Sequence, residues 1–159
     1  MSSDFQLPSE AGAVPLPAQP TAAPLAPPTK AAADLRRAHL LVVDDEPINA
    51  KVIEKLLAGD GYERITCVES GRRALDLLAR ERADLVLLDV FLGDVNGIDV
   101  LKQLRACPGA AVPILIVSAS SDSDLQRIAL DLGAIGFITK PICQSQLLAQ
   151  VEKGLRLPT

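Results

Sequence analysis

Four short apolar runs in the chain each end in a polar residue. They are His39-Leu40-Leu41-Val42-Val43-Asp44-Asp45, Asp84-Leu85-Val86-Leu87-Leu88-Asp89, Pro113-Ile114-Leu115-Ile116-Val117-Ser118 and Ile135-Gly136-Phe137-Ile138-Thr139-Lys140-Pro141. Each is too short for a helix, is rich in Val, Ile or Leu, and lacks polar alternation, which is the pattern of a parallel strand buried on both faces. Segments of helical period separate them. Ile48, Val52, Ile53, Leu56 and Leu57 share one helical face, and the Gly59-Asp60-Gly61 break then leads to a further strand near Arg64 to Glu69. Ser70-Gly71 opens a second helix marked by Ala74, Leu75, Leu77 and Leu78. Ile98, Val100, Leu101 and Leu104 mark a third, which Pro108-Gly109 terminates. Ser121 to Asp124 are early-turn residues for a fourth with Leu125, Ile128, Ala129 and Leu132, ended by Gly133. Leu147, Leu148, Val151 and Leu155 give the fifth.

This alternation is (βα)5, and it implies a parallel sheet with helices on both faces and right-handed crossovers. Five such units suit the flavodoxin-like, doubly wound strand order 2-1-3-4-5. Strands 1, 3, 4 and 5 are then neighbours. Their C-terminal ends form the edge where ligands bind in open α/β sheets, and that edge collects Asp44, Asp45, Asp89, Ser118 and Lys140.

Composition bounds the rest. At 159 residues the chain is long enough for about one domain with its own core. Seven of the twelve prolines fall in the first thirty residues, among alanines and without apolar periodicity, so residues 1 to 37 read as a disordered, partly polyproline-like tail before a domain spanning 38 to 157. The prolines interrupt any continuous apolar stretch of a secretory signal, and no segment reaches the ~20 apolar residues of a membrane span. Cys67, Cys107 and Cys143 are odd in number and widely spaced, and read as buried or half-buried thiols of a reducing cytoplasm. His39, the sole histidine, reads as structural beside its buried strand. A formal charge of −4 with scattered Lys and Arg, no Trp and a single Tyr argues against a nucleic-acid surface in this chain.

Three carboxylates at adjacent strand ends repel one another unless a cation lies between them. Oxygen-only ligation by a few carboxylates suits Mg²⁺, which prefers octahedral geometry and keeps several waters. Lys140 cannot be a ligand, but it can pair with a carboxylate or an arriving phosphoryl oxygen. Ser118 adds a neutral donor. Metal, lysine and hydroxyl are what in-line phosphoryl transfer requires, and Asp89, central on strand 3, is the candidate nucleophile for an aspartyl-phosphate. Taken singly the residues have plainer readings: Asp44 or Asp45 as a cap of the first helix, Ser118 as a cap of the fourth, Lys140 as a solvated surface lysine, Phe137 as core.

Leu41-Val42-Val43-Asp44-Asp45-Glu46-Pro47, Leu87-Leu88-Asp89 with Gly97 beyond it, Ser118-Ala119 and Lys140-Pro141 together resemble the receiver domain of two-component response regulators, over residues 39 to about 157. The resemblance implies that Asp89 accepts a phosphoryl group from a histidine kinase, a histidine phosphotransfer protein or a small acyl phosphate. Asp44 and Asp45 then hold Mg²⁺, Asp45 as the direct ligand, with the backbone carbonyl of Phe91 completing the protein's share. Lys140 matches the family's lysine, with a cis Lys140-Pro141 peptide. Ser118 matches the switch hydroxyl and Phe137 the aromatic switch. The face formed by the fourth helix, the fifth strand and the fifth helix is the surface such a switch alters. No output domain is read after Leu157, so the expected output is another protein. Monomer and phosphorylation-dependent dimer are both compatible with the sequence.

Gly93 stands where the family often has proline, and Phe91 and Ser120 occupy positions that tune phosphoryl lifetime in the family. Phe137 in place of tyrosine lacks a hydroxyl for the partner-facing surface. An aspartate-based phosphatase would want D-x-D after its first strand and an inserted cap; here the strand ends Asp44-Asp45-Glu46. A receiver-like scaffold that is never phosphorylated usually lacks one of these key residues, and all are present. A phosphate sink or relay intermediate would share the chemistry of a signalling switch. The chain is expected to be no turnover enzyme.

Overall fold

The three central apolar runs are buried over His39–Val43, Leu85–Asp89 and Ile114–Ser118 in a computed structural model that describes residues 31–107 and 111–157. The strands are β1 (His39–Val43), β2 (Arg64–Val68), β3 (Leu85–Asp89), β4 (Ile114–Ser118) and β5 (Gly136–Thr139). They form one parallel sheet in the order β2-β1-β3-β4-β5, the flavodoxin-like arrangement that the alternating pattern predicts. Register sets the functional edge. Val43 lies opposite Leu88, Asp89 opposite Val117, and Ser118 opposite Thr139, so the residues that follow or close β1, β3, β4 and β5 come out side by side.

The helices are α1 (Pro47–Gly59), α2 (Gly71–Arg80), α3 (Gly97–Ala106), α4 (Ser123–Asp131) and α5 (Gln144–Leu155). Side chains alternate across the pleat. Leu41, Val43, Val86, Leu88, Ile114 and Ile116 therefore face one way, onto α2, α3 and α4 through Ala74, Val100, Leu101, Leu104 and Ala129. Leu40, Val42, Leu85, Leu87, Leu115 and Val117 face the other, onto α1 and α5 through Ile53, Leu57, Leu147 and Val151. Each such side chain contributes about 1.5–3 kcal/mol by leaving water, so the sheet is a rigid platform on which the edge residues are mounted.

Three expectations need correction or restriction. The disordered tail was expected to run to residue 37, but a short leading helix occupies Ala31–Arg36; the Ala-rich stretch after the last clustered proline favours it, with Arg36 in its last turn. The remainder of that expectation, residues 1–30, and the Pro108-Gly109 stop lie outside the described residues. The three cysteines are exposed, not buried. Cys67 sits on the edge strand β2, Cys107 closes α3 and Cys143 precedes α5, so each occupies a margin and none the core.

Arg36 is held by the chain between α1 and β2. Its Nε donates to Asp60 O at 2.6 Å, Nη2 pairs with Asp60 Oδ2 at 2.9 Å, and the guanidinium stacks 4.7 Å from the Tyr62 ring centroid. His39 is structural as expected: it is buried, with Nδ1 2.9 Å from Arg82 O and Nε2 2.8 Å from Thr66 Oγ1. Among the described residues no helix is long and apolar enough to cross a membrane.

Candidate functional site

β1 ends into Asp44 and Asp45, β3 ends at Asp89, and Lys140 follows β5. Nζ of Lys140 donates to Asp44 Oδ2 at 2.8 Å and to Asp89 Oδ2 at 2.9 Å, joining positions 96 and 51 residues apart. The side chains of Asp44 and Asp89 are 2% and 6% exposed, and that of Lys140 14%. Their remaining oxygens are also engaged. Asp44 Oδ1 accepts from Glu46 N at 2.9 Å, and Asp89 Oδ1 accepts from Phe91 N at 3.1 Å. Asp45 is not buried, and one carboxylate oxygen from each of Asp44, Asp45 and Asp89 lies within 4.8 Å of the others.

Burial pushes the Asp89 carboxyl above the ordinary carboxylate range, and neighbouring Asp44 adds to that push; Lys140 and the Phe91 N–H oppose it. Burial alone would lower Lys140, but its hydrogen bonds to Asp44 and Asp89 outweigh this and hold it above the usual lysine range. One ammonium thus pairs with two of three clustered carboxylates. That surplus of negative oxygen donors, two of them buried, fits a small divalent cation of the Mg²⁺ type, which prefers carboxylates and water to nitrogen or sulfur.

Ser118 is fully buried, and its Oγ accepts from Ser120 N at 3.2 Å. Among the described residues it makes no hydrogen bond to the carboxylates, so the structure places it at the same edge without joining it to the ionic cluster. Its backbone is tied in: Lys140 N donates to Ser118 O at 2.7 Å. The Lys140-Pro141 peptide is cis, as the resemblance implies. Phe137 is half-buried and packs on the core face that carries α2, α3 and α4. Phe91 forms an isolated antiparallel bridge with Asn96 and is 55% exposed.

The loop after Asp89 returns on itself. Gly97 N donates to Val90 O at 2.8 Å, and Asn96 caps α3 through Ile98 N at 2.7 Å. Gly97 must be glycine here: a Cβ would collide with the carbonyl oxygen of Asp89 and lie 2.8 Å from Val90 Cα. Sequence reasoning noted Gly97 only through the resemblance, and it missed Asp94, whose carboxylate reaches the start of α2.

A parallel, doubly wound sheet with an acidic, lysine-bridged cluster at its C-terminal edge defines an α/β domain whose polar groups stand where open α/β sheets bind ligands. The family model of the response regulator receiver domain matches residues 40–152, and the chain belongs to that family. It is 38% identical over 123 residues to the DNA-binding response regulator MtrA of Mycolicibacterium smegmatis, a match covering 77% of this chain and 53% of the relative. It is 37% identical over 116 residues to the transcriptional regulatory protein ZraR of Escherichia coli, covering 73% of this chain and 26% of the relative. The chain therefore spans about half the length of the MtrA relative, and less of ZraR. Among solved structures, the receiver domain of Francisella response regulator 1452 aligns with TM-score 0.70 and 26% identity, covering 76% of this chain and 98% of that one. The receiver domain of a signal transduction histidine kinase from Syntrophus aciditrophicus aligns with TM-score 0.68 and 28% identity, covering 77% and 96%.

Proposed function

We propose that this receiver domain is phosphorylated on Asp89 in a Mg²⁺-dependent reaction and acts as a protein-binding switch of a two-component phosphorelay in the cytoplasm. The observation that carries the reading is Lys140 Nζ bridging Asp44 and Asp89 at 2.8 and 2.9 Å, with Asp45 beside them. An Asp89 carboxylate oxygen attacks the phosphorus of a phosphohistidine or acyl phosphate. The new O–P bond forms as the bond to the donor's nitrogen or oxygen breaks, and that atom leaves with the electron pair. Asp44, Asp45, Asp89 and the Phe91 carbonyl would hold Mg²⁺, which would supply positive charge against the transferring oxygens. Lys140 gives up part of its contact with Asp89 to meet a phosphoryl oxygen.

The phosphoryl group adds charge and acceptor oxygens, and it shifts the domain only as far as it binds one conformation better than the other. Ser118 supplies the hydroxyl that reaches it, and half-buried Phe137 is the aromatic group positioned to follow. The face of α4, β5 and α5 then changes shape for a protein partner. The phosphoryl donor is a histidine kinase or histidine phosphotransfer protein. The domain modifies itself and turns over no external substrate.

A second reading concerns output. The MtrA relative is described as DNA-binding and extends beyond the matched region. Under that reading the receiver governs a nucleic-acid-binding segment and does not itself contact DNA. A sink or relay role uses the same site chemistry.

Intact-mass spectrometry after incubation with a small acyl phosphate, with and without Mg²⁺, on the wild-type chain and Asp89→Asn, tests the chemistry. One added phosphoryl group that requires both Mg²⁺ and Asp89 is the expected result. No addition under conditions that label another receiver would leave a binding scaffold.

A further inference from the structure

We propose that Asp94 is a positioning residue for the cation site, pinning the tip of the β3–α3 loop to the start of α2 and thereby fixing the segment that carries the Phe91 carbonyl. The inference rests on the reading of Asp44, Asp45 and Asp89 as a Mg²⁺ site. The base of this loop is closed by the Phe91 and Asn96 bridge and by Gly97 N on Val90 O. Neither contact holds the tip. At the tip stands Gly93, which borders the site: a Cβ there would meet Asp45 Oδ2 in ordinary contact at 3.4 Å. Glycine contributes no rigidity of its own.

Asp94 supplies what Gly93 lacks. Its Oδ1 accepts from Gly71 N and its Oδ2 from Arg72 N, both at 3.0 Å. α2 already has a cap of its own, because Ser70 Oγ accepts from Arg73 N at 3.1 Å. The two Asp94 bonds therefore tie a loop to a helix and are not the local cap. They are charge-assisted and lie at the positive end of the helix. The slight burial of Asp94 would raise its carboxyl, but backbone N–H groups, those of Arg72 and Gly71 foremost and those of Val95 and Asp94 itself after them, outweigh that and hold it below the ordinary range. The receiving side is shaped to match: a Cβ on Gly71 would collide with Val95 and lie 2.8 Å from Val100 Cγ2, so glycine is what lets the loop close on α2.

Isothermal titration of Mg²⁺ into the full chain, with thermal unfolding of the Mg²⁺-free protein alongside, tests the role on wild type, Asp94→Ala and Ser70→Ala. Asp94→Ala is expected to weaken Mg²⁺ binding about tenfold, the scale found for residues that orient metal ligands. Ser70→Ala removes a hydrogen bond from the same helix end without touching the loop; it should lower the Tm and leave Mg²⁺ affinity unchanged. Equal affinity in wild type and Asp94→Ala would overturn the inference, as would an equal loss in both variants. If Asp94→Ala fails to fold, Asp94→Asn decides in the same way: weaker binding supports the role and unchanged binding overturns it. A wild-type chain that binds no Mg²⁺ would overturn the cation site and this inference together, which separates the two failures.

Discussion

Asp89 shares Lys140 with Asp44, so a single ammonium faces two buried carboxylates, and Asp45 stands close by. Burial raises the Asp89 pKa above its unfolded value despite that lysine. The consequence for stability has a definite sign. A carboxyl whose folded pKa is raised favours folding when protonated; this contribution is complete below the unfolded pKa and is lost as pH rises through the folded one. Ionised Asp89 therefore opposes folding of the Mg²⁺-free domain at neutral pH, and Asp89→Asn removes the opposition. In urea denaturation without Mg²⁺, the variant should be more stable than wild type at neutral pH. The difference should close as pH falls below the ordinary carboxylate range. A less stable variant at neutral pH would mean that attraction to Lys140 outweighs the burial of the charge.

Among the elements, α3 is held at both ends by different means. Its start is fixed by Asn96 and by Gly97 against the Asp89 carbonyl; its end is fixed by Arg105, whose Nη1 donates to Val112 O and Nη2 to Gly133 O, each at 3.1 Å. Those carbonyls precede β4 and β5, so one fork ties the end of α3 to two connections at the sheet edge opposite the site. Hydrogen bonds to a charged group contribute about 1.5–3 kcal/mol, and Arg105→Ala should cost about 2 kcal/mol in urea denaturation. Arg105→Lys should restore little of it, since an ammonium cannot span both carbonyls as the planar fork does. A full rescue by lysine would show that charge and not geometry matters there. This staple also marks what the sequence concealed. Asp44, Asp89, Ser118 and Lys140 were legible because buried parallel strands are apolar to their last turn, so a polar residue at the boundary stands out and the topology gathers it. Arg105 and Asp94 bond to backbone groups of residues whose identities leave no trace, apart from Gly71. The leading helix was hidden by averaging Ala31–Arg36 with the proline-rich residues before it, and exposed Cys67 by the edge position of its strand.

For the molecule as a whole, the cation site and folding are linked. A ligand that binds only the native state stabilises it by RT ln(1 + [L]/Kd), about 2.7 kcal/mol at a hundred times Kd. Asp45 is the residue through which this linkage can be isolated. Asp44 and Asp89 are both bonded to Lys140, so replacing either disturbs the Mg²⁺-free fold as well as the cation site. Asp45 is not buried and makes no hydrogen bond among the described residues, yet it offers an oxygen to the same pocket. Without Mg²⁺, Asp45→Ala should therefore unfold within about 0.5 kcal/mol of wild type, as exposed substitutions generally do. In saturating Mg²⁺ the wild-type chain should gain its few kcal/mol while Asp45→Ala gains little. Urea denaturation of both proteins with and without Mg²⁺ reads the coupling directly. An equal gain in both would place the cation elsewhere on the surface, and a large loss in Asp45→Ala without Mg²⁺ would assign Asp45 to the fold and not to the cation.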